Sequence, residues 1–328
     1  MKSFVSKYIV VTGGAGFIGS GVVRHLNDKG FHNIVVVDNL GTSDKWKNLV
    51  GKSYADCIHK SNFFSWLEGK ASEIGAFIHL GACSSTVELD ANYLLENNYR
   101  YTVRLAEYAL KHGIRFIYAS SAATYGDGAD GFSDDHDAID IFKPLNMYGY
   151  SKHMFDLWAK RQGVLNQVVG LKYFNVFGPN EYHKGRMSSA IVKMLPDASN
   201  KGSIQLFKSE FPNLFGDGEQ KRDFIYVKDV AKMTCAFLEN NAAGIFNIGT
   251  GIAASWNDLA TALFLSLGKK PNITYIDMPA DLLGKYQNFT EAKVGKVQKA
   301  LGRDSETVDL RATVADYVQN YLSKQRYW

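Results

Sequence analysis

Residues Asn146 to Lys152 read NMYGYSK, with two tyrosines and one lysine in five positions. On a helix, residues four apart share a face, so Tyr148 works with Lys152, while Tyr150 points roughly 200° away from Tyr148. A phenol with a pKa of about 10 is a poor base at neutral pH. A cation beside it lowers that pKa and makes proton exchange with a substrate hydroxyl feasible. The run RFIYASS ends in Ser120 and Ser121 about 27 residues before Tyr148, and Ser121 suits a hydrogen bond to the same hydroxyl. By spacing alone, Tyr148 and Lys152 are an ordinary aromatic and cation on an amphipathic helix. Their order after a serine-bearing strand end and a glycine-rich loop gives them a chemical reading.

That loop is IVVTGGAGFIGSGVV, with Gly13, Gly16 and Gly19 spaced G-x-x-G-x-x-G between a strand pattern and a helix pattern. Glycine permits a tight turn and close approach of the backbone to a pyrophosphate, which then faces the amides of the helix N-terminus. Asp38 ends the second apolar run, about 20 residues beyond the glycines, where an acid binds the adenosine ribose of NAD. Asn39, Lys45 and Lys60 follow, and a lysine there holds the 2′-phosphate of NADP as a point charge or is simply solvated. At the level of residues the choice between NAD and NADP stays open. The small residues Gly81 to Ser84 at the next strand end suit close approach to the cofactor, with Asn97 on the following helix.

These groups need a scaffold, and the patterning supplies one. Short Val/Ile-rich runs such as KYIVVTG, NIVVVDN, AFIHLGA and VVGLKYFNV alternate with helical patterns, as strands buried on both faces of a parallel sheet do. The expected class is α/β, a doubly wound Rossmann sheet with a smaller interleaved α/β unit. Residues 1–173, 226–254 and about 286–300 form the expected cofactor domain; 174–225, 255–285 and 301–328 form the substrate domain.

A chain of 328 residues that is 46% hydrophobic supports a full core, and its net charge of +4 is scattered, which argues against a nucleic-acid partner. Cys57, Cys83 and Cys235 lack the spacing of a disulfide framework or a zinc site, so no metal is expected and the thiols are read as buried in a reducing compartment. No apolar stretch approaches the roughly 20 residues needed to span a bilayer, and the start has no signal peptide, so a soluble cytoplasmic protein is expected. The sequons at Asn272 and Asn288 then carry no meaning.

Together, the glycine loop, the serine strand end and Tyr148-x-x-x-Lys152 resemble the short-chain dehydrogenase/reductase superfamily, in its extended branch that modifies nucleotide sugars. Such enzymes oxidise a sugar carbinol by hydride transfer. The dehydratases among them carry an Asp-Glu pair beside the active-site hydroxyl residue; this chain has Ala122 and Ala123, so dehydration lacks its acid and base. No feature favours release of reduced cofactor over internal return of the hydride. Epimerisation benefits from a second proton-exchanging group, and Lys184 sits in a loop beyond a strand end, where open α/β sheets bind substrate.

GGAGFIGS, GACSST, ASSAATYG, PLNMYGYSK, YFNVFGPNEYHKGRMSS, KRDFIYVKDV and GKYQNFTEA extend the resemblance to the ADP-glyceromanno-heptose 6-epimerase family, from about Tyr8 to about Ala292. That resemblance implies an NADP-containing cytoplasmic enzyme, a ring-like homo-oligomer (a homopentamer), inverting C-6 of an ADP-heptose used for the lipopolysaccharide core. It implies that Tyr148 and Lys184 are the two acid/base groups for alternative poses, with Lys152 on the nicotinamide ribose. Phe17, Ile18, Asp38, Asn39, Lys45, Lys60, Leu80, Gly81, Ala82, Cys83, Ser84, Asn97 and Val176 would line the cofactor. Ser121, Asn175, Arg222 and Tyr286 would hold substrate, the Arg222 fork suiting a diphosphate. Arg186, Lys193 and the longer loop after Phe207 depart from the family pattern at substrate positions and bear on which nucleotide and sugar bind. The competing expectations are a UDP- or GDP-sugar 4-epimerase that uses Tyr148 without Lys184, and a catalytically silent cofactor sensor on the same fold.

Overall fold

A computed structural model of the chain describes residues 6–279 and 287–328. The first half alternates as its apolar runs dictate: β1 (Tyr8–Thr12), α1 (Phe17–Asp28), β2 (Ile34–Asp38), β3 (Asp56–His59), α2 (Phe63–Trp66), β4 (Ile74–His79), α3 (Ala91–Leu94), α4 (Tyr101–Lys111), β5 (Arg115–Ser121), α5 (Met147–Arg161) and β6 (Val168–Tyr173). The second half is more broken: β7 (Asn175–Phe177), α6 (Ala190–Pro196), β8 (Ile204–Phe207), β9 (Lys221–Tyr226), α7 (Val227–Ala236), β10 (Gly244–Ile248), β11 (Ala253–Ser255), α8 (Trp256–Ser266), β12 (Ile273–Ile276), α9 (Gly295–Leu301) and α10 (Leu310–Asp316).

Seven strands form one parallel sheet in the order β10-β6-β5-β4-β1-β2-β3. Strands β2 and β6 are buried along their whole length, which is why their apolar residues run consecutively, at 34–37 and 168–171, without alternating with polar ones. Helices cover both faces. Val22, Val23 and Leu26 of α1 share one core with Val230 and Met233 of α7, while Leu105 and Ala109 of α4 meet Phe155 and Ala159 of α5 on the other. The architecture is the expected Rossmann-like α/β fold.

The order reverses between β1 and β4, the kind of switch point where open α/β sheets bind ligands beyond their carboxyl ends. Here the two strand ends nearly touch. Gly13 has φ +69, and a Cβ on it would lie 2.7 Å from the Gly81 amide nitrogen, so neither turn accommodates a larger residue without moving the other.

Two smaller sheets, β11-β9-β7 and β12-β8, build the rest over a third core that includes Phe224, Leu259, Leu263, Val314 and Tyr317. Strand β9 belongs to a small sheet but runs directly into α7, which packs on α1. All three cysteines are free. The expectation of buried thiols fails for Cys57, which is exposed because β3 is the edge of the large sheet, and Cys83 is only partly buried; Cys235 is buried. Among the described residues no helix is long and apolar enough to cross a membrane.

Candidate active site

Helix α5 starts at Asn146, whose side chain caps it by accepting from the Gly149 amide at 2.9 Å. The glycine between the two tyrosines has a packing reason. A Cβ on Gly149 would stand 2.7 Å from the Ala123 carbonyl oxygen, so only glycine lets this first turn close on the residues after β5. That approach brings Tyr148 to Ser121, whose hydroxyl hydrogen-bonds the phenol, and Tyr150 is left exposed on the opposite side.

Beneath them lies a buried polar network. Asp156, fully buried, accepts from the Tyr118 hydroxyl at 2.9 Å, the Ser120 hydroxyl at 2.8 Å and the Lys172 amine at 2.6 Å. Lys172 also donates to the Thr124 hydroxyl at 2.6 Å, and Thr124 donates to the Ser121 carbonyl at 2.7 Å. Ser121 is thereby fixed by its strand and by the charged pair below it.

Lys152, one turn after Tyr148, is 5% exposed and donates to the Ala119 carbonyl at 2.9 Å. Burial lowers its pKa to about 8, opposed by Asp156 and Cys83. Burial pushes the Tyr148 phenol up, opposed by the Ser121 hydrogen bond. The depression of Tyr148 expected from its lysine neighbour is therefore not the net direction in this structure, where the amine is turned to β5.

On the glycine-loop side, Gly16 caps α1 without a side-chain acceptor, and a Cβ on Gly19 would meet the Gly13 carbonyl oxygen at 2.1 Å. Such a bare cradle at a helix start fits a dinucleotide pyrophosphate. Asp38 accepts from the Ala15 amide at 2.9 Å, the Asn39 amide at 2.7 Å and the Lys45 amine at 2.5 Å. The two residues that pull the cofactor reading in opposite directions are thus an ion pair. Lys60 donates to Asn97 at 2.6 Å.

Lys184 rides on a 3-10 turn, Tyr182–Met187, that bends at Gly185 with φ +51. Its amine lies 5.4 Å over the Phe17 ring, and burial lowers its pKa against an opposing effect of Glu181. Glu181 anchors the turn by accepting from the Ser189 hydroxyl at 2.7 Å, the Gly178 amide at 3.3 Å and the Tyr317 hydroxyl at 3.0 Å. His183 is held neutral, its pKa lowered to about 4 by burial, Lys45 and Lys184.

A cavity of about 800 Å³ joins these groups. It is lined by Gly13, Gly16, Phe17, Ile18, Gly19, Asp38, Asn39, Lys45, Lys60, Leu80 to Ser84, Asn97, Ser121, Tyr148, Lys152, Asn175, Val176, Lys184 and Lys193. Arg186 is exposed and, like Phe207 at the end of β8, stands apart from that lining. Arg222, 6% exposed on β9, is also outside it, its guanidinium 5.8 Å from the Trp256 ring. Tyr286 lies outside the described residues.

Several lining residues escaped the sequence reading, among them His183, Phe224, Trp256 and Leu259. His183 had a signal, its place beside Lys184. Trp256 had one too, because Ser255 and Asp258 form a capping box that starts α8 at the tryptophan. Asn98, buried behind the lining, pairs with both backbone groups of Cys83 at 2.8 and 2.9 Å and had none.

The model of the NAD dependent epimerase/dehydratase family matches residues 9–249. An ADP-L-glycero-D-manno-heptose-6-epimerase of Nitratidesulfovibrio vulgaris is 52% identical over 317 residues, 96% of this chain and 98% of that one. Among solved structures, the Helicobacter pylori ADP-L-glycero-D-manno-heptose-6-epimerase superposes with a TM-score of 0.80 at 28% identity, covering 97% of this chain and 96% of that one. MoeE5 in complex with UDP-glucose and NAD gives 0.75 at 26% identity, covering 97% and 99%.

Proposed function

The chain belongs to the NAD dependent epimerase/dehydratase family and, within its reach, to the ADP-L-glycero-D-manno-heptose-6-epimerases, and we propose that it converts ADP-D-glycero-β-D-manno-heptose to its L-glycero epimer at C-6 for lipopolysaccharide core supply. A bound nicotinamide supplies a hydride acceptor and, once reduced, the donor that returns the hydride. The chain's own residues supply the rest. Tyr148, hydrogen-bonded by Ser121, exchanges the proton of the sugar hydroxyl in one pose. Lys184 exchanges it in the other, its amine made easier to deprotonate by burial. Lys152, buried and turned to the end of β5, would hold the nicotinamide ribose.

The carrying observation is that Tyr148 and Lys184, on two separate elements, line one cavity, while Ala122 and Ala123 stand where a dehydratase needs an acid and a base. Gly13, Gly16 and Gly19 would seat the pyrophosphate, and Asp38, Asn39 and Lys45 the adenosine ribose. Neutralisation of Asp38 by Lys45 supports NADP, because it removes the charge that would repel a 2′-phosphate. Asn175 and Lys193 face the sugar nucleotide within the cavity, whereas Arg222 and Arg186 would have to reach it by reorienting. The separation of the seven-stranded sheet from the two smaller sheets supports a division into a cofactor domain and a substrate domain. The resemblance supports a cytoplasmic homopentamer.

Proton NMR of ADP-D-glycero-D-manno-heptose with the purified holoenzyme, its cofactor identified by mass spectrometry, tests the reading. Tyr148→Phe and Lys184→Met should each lower kcat by on the order of 10²- to 10⁴-fold. No inversion by cofactor-loaded wild type overturns the substrate assignment; full activity of Lys184→Met on a UDP- or GDP-sugar supports the 4-epimerase alternative.

A further inference from the structure

The turn that carries Lys184 is tied to a distant stretch of chain, Arg326–Trp328. Asn180 is fully buried, and its side chain brackets Trp328: Oδ1 accepts from the Trp328 amide at 2.8 Å, while Nδ2 donates to the Trp328 carbonyl at 3.2 Å and to the Ser20 hydroxyl of α1 at 3.0 Å. Two residues on, the Tyr182 hydroxyl donates to the Arg326 carbonyl at 2.9 Å, and its ring meets Tyr327 edge-on at 5.1 Å. Lys52 donates to the Trp328 carbonyl, and the Trp328 ring lies over Gly21, where a Cβ would be 3.1 Å from it.

The backbone is shaped for this junction from both sides. Among the described residues, Asn180 (φ 78) and Gln325 (φ 50) are the two non-glycine positions with positive φ, one entering the Lys184 turn and the other entering the Arg326–Trp328 segment. Side chains rarely adopt that region, and it persists only where surrounding contacts determine it. On its other side the Asn180 carbonyl accepts from Asn48 at 3.0 Å, and Asn48 also donates to Ala15 of the glycine loop at 2.9 Å. The Lys184 amide follows directly, donating to the Glu181 carbonyl at 2.9 Å.

We propose that Arg326–Trp328, acting through Asn180 and Tyr182, is the positioning element that holds Lys184 in the cleft for its half of the reaction. This rests on the two-pose reading above, in which Tyr148 serves one epimer and Lys184 the other. Tyr148 stands on α5 and makes none of these contacts, so loosening the strap affects the two epimers unequally. None of the strap residues lines the cavity; they act through the turn.

The test uses cofactor-loaded enzyme and follows the reduction of bound cofactor after mixing with each C-6 epimer separately. Asn180→Gly keeps the positive φ, which glycine adopts freely, and loses all three amide contacts. Asn180→Gly, and separately removal of Arg326–Trp328, should slow reduction by one epimer at least about tenfold and leave the other within about twofold, since small misplacements of a reacting group cost rate steeply. Both together should be no worse than the stronger alone, and hydrogen exchange at amides 180–187 should quicken. Tyr182→Phe, a milder lesion, should shift the same epimer in the same direction, and it carries the test if the larger variants do not fold. Equal slowing from both epimers, or no slowing in variants that melt like wild type, overturns the proposal. Lys184→Met separates the two readings: if it spares both epimers the two-pose reading falls, and if it is selective while the strap variants are not, only the strap falls.

Discussion

Tyr148 stands on a fifteen-residue helix with seven buried residues, whereas Lys184 stands on a six-residue turn with none. The first support is made by the sheet: α5 is capped, pressed against Ala123 through Gly149 and floored by the Asp156–Lys172 pair. The second has no core of its own and depends on long-range hydrogen bonds that join Glu181 to Tyr317, Asn180 to Trp328 and Tyr182 to Arg326. The difference teaches that, of the two groups proposed to exchange protons, one comes with the fold while the other is held by a few polar contacts, each of which can be removed singly.

The comparison breaks most visibly at the buried pair. Lys172→Met leaves the Asp156 charge uncompensated, 0% exposed, and should destabilise the protein by about 3 kcal/mol or more in urea unfolding, whereas Lys193→Met, exposed on the Lys184 side, should change stability by less than about 0.5 kcal/mol. Similar losses for the two would show that the supports are equivalent.

A pH series sharpens the same contrast. Lys152 has a folded pKa of about 8 against 10.5 for the exposed group, so between those values the unfolded chain binds the proton more tightly and the folded state gains stability as pH rises. In cofactor-free protein, the stability of wild type relative to Lys152→Met should climb by up to about 1.4 kcal/mol per pH unit above pH 8. A flat or falling difference would mean that Lys152 is not buried as a charge.

The smallest effect is at the helix start. Asn146→Ala removes the cap of α5 and should cost about 1 kcal/mol, while lowering kcat through Tyr148 with KM little changed. Thermal melts and initial rates read both; a KM effect instead would place Asn146 at the substrate.

The parts of this site legible in the sequence were local ones. Helical spacing singles out Tyr148 over Tyr150, and strand-glycine-helix order locates the cofactor loop, because both depend on neighbours a few residues apart. The pairing of Asp38 with Lys45 was half visible: the residues were named, their contact was not. Asn48 reaching Asn180, or Asn180 reaching Trp328, joins residues more than a hundred positions apart, and no periodicity or motif encodes such a meeting. For Arg222 the chemistry was legible and the placement was not. Its guanidinium suits a diphosphate chemically, but β9 buries it against Trp256, outside the cavity lining.

Tyr226 ends β9 and Val227 begins α7 with no residue between them. A strand of the small sheet and a helix packed on α1 are therefore a single stiff piece, and swinging one sheet against the other would drag the start of the glycine-loop helix along. If substrate binds in two poses as proposed, the adaptation falls to side chains and short turns, and heating should melt both sheets in one cooperative transition, with no stage at which either survives alone.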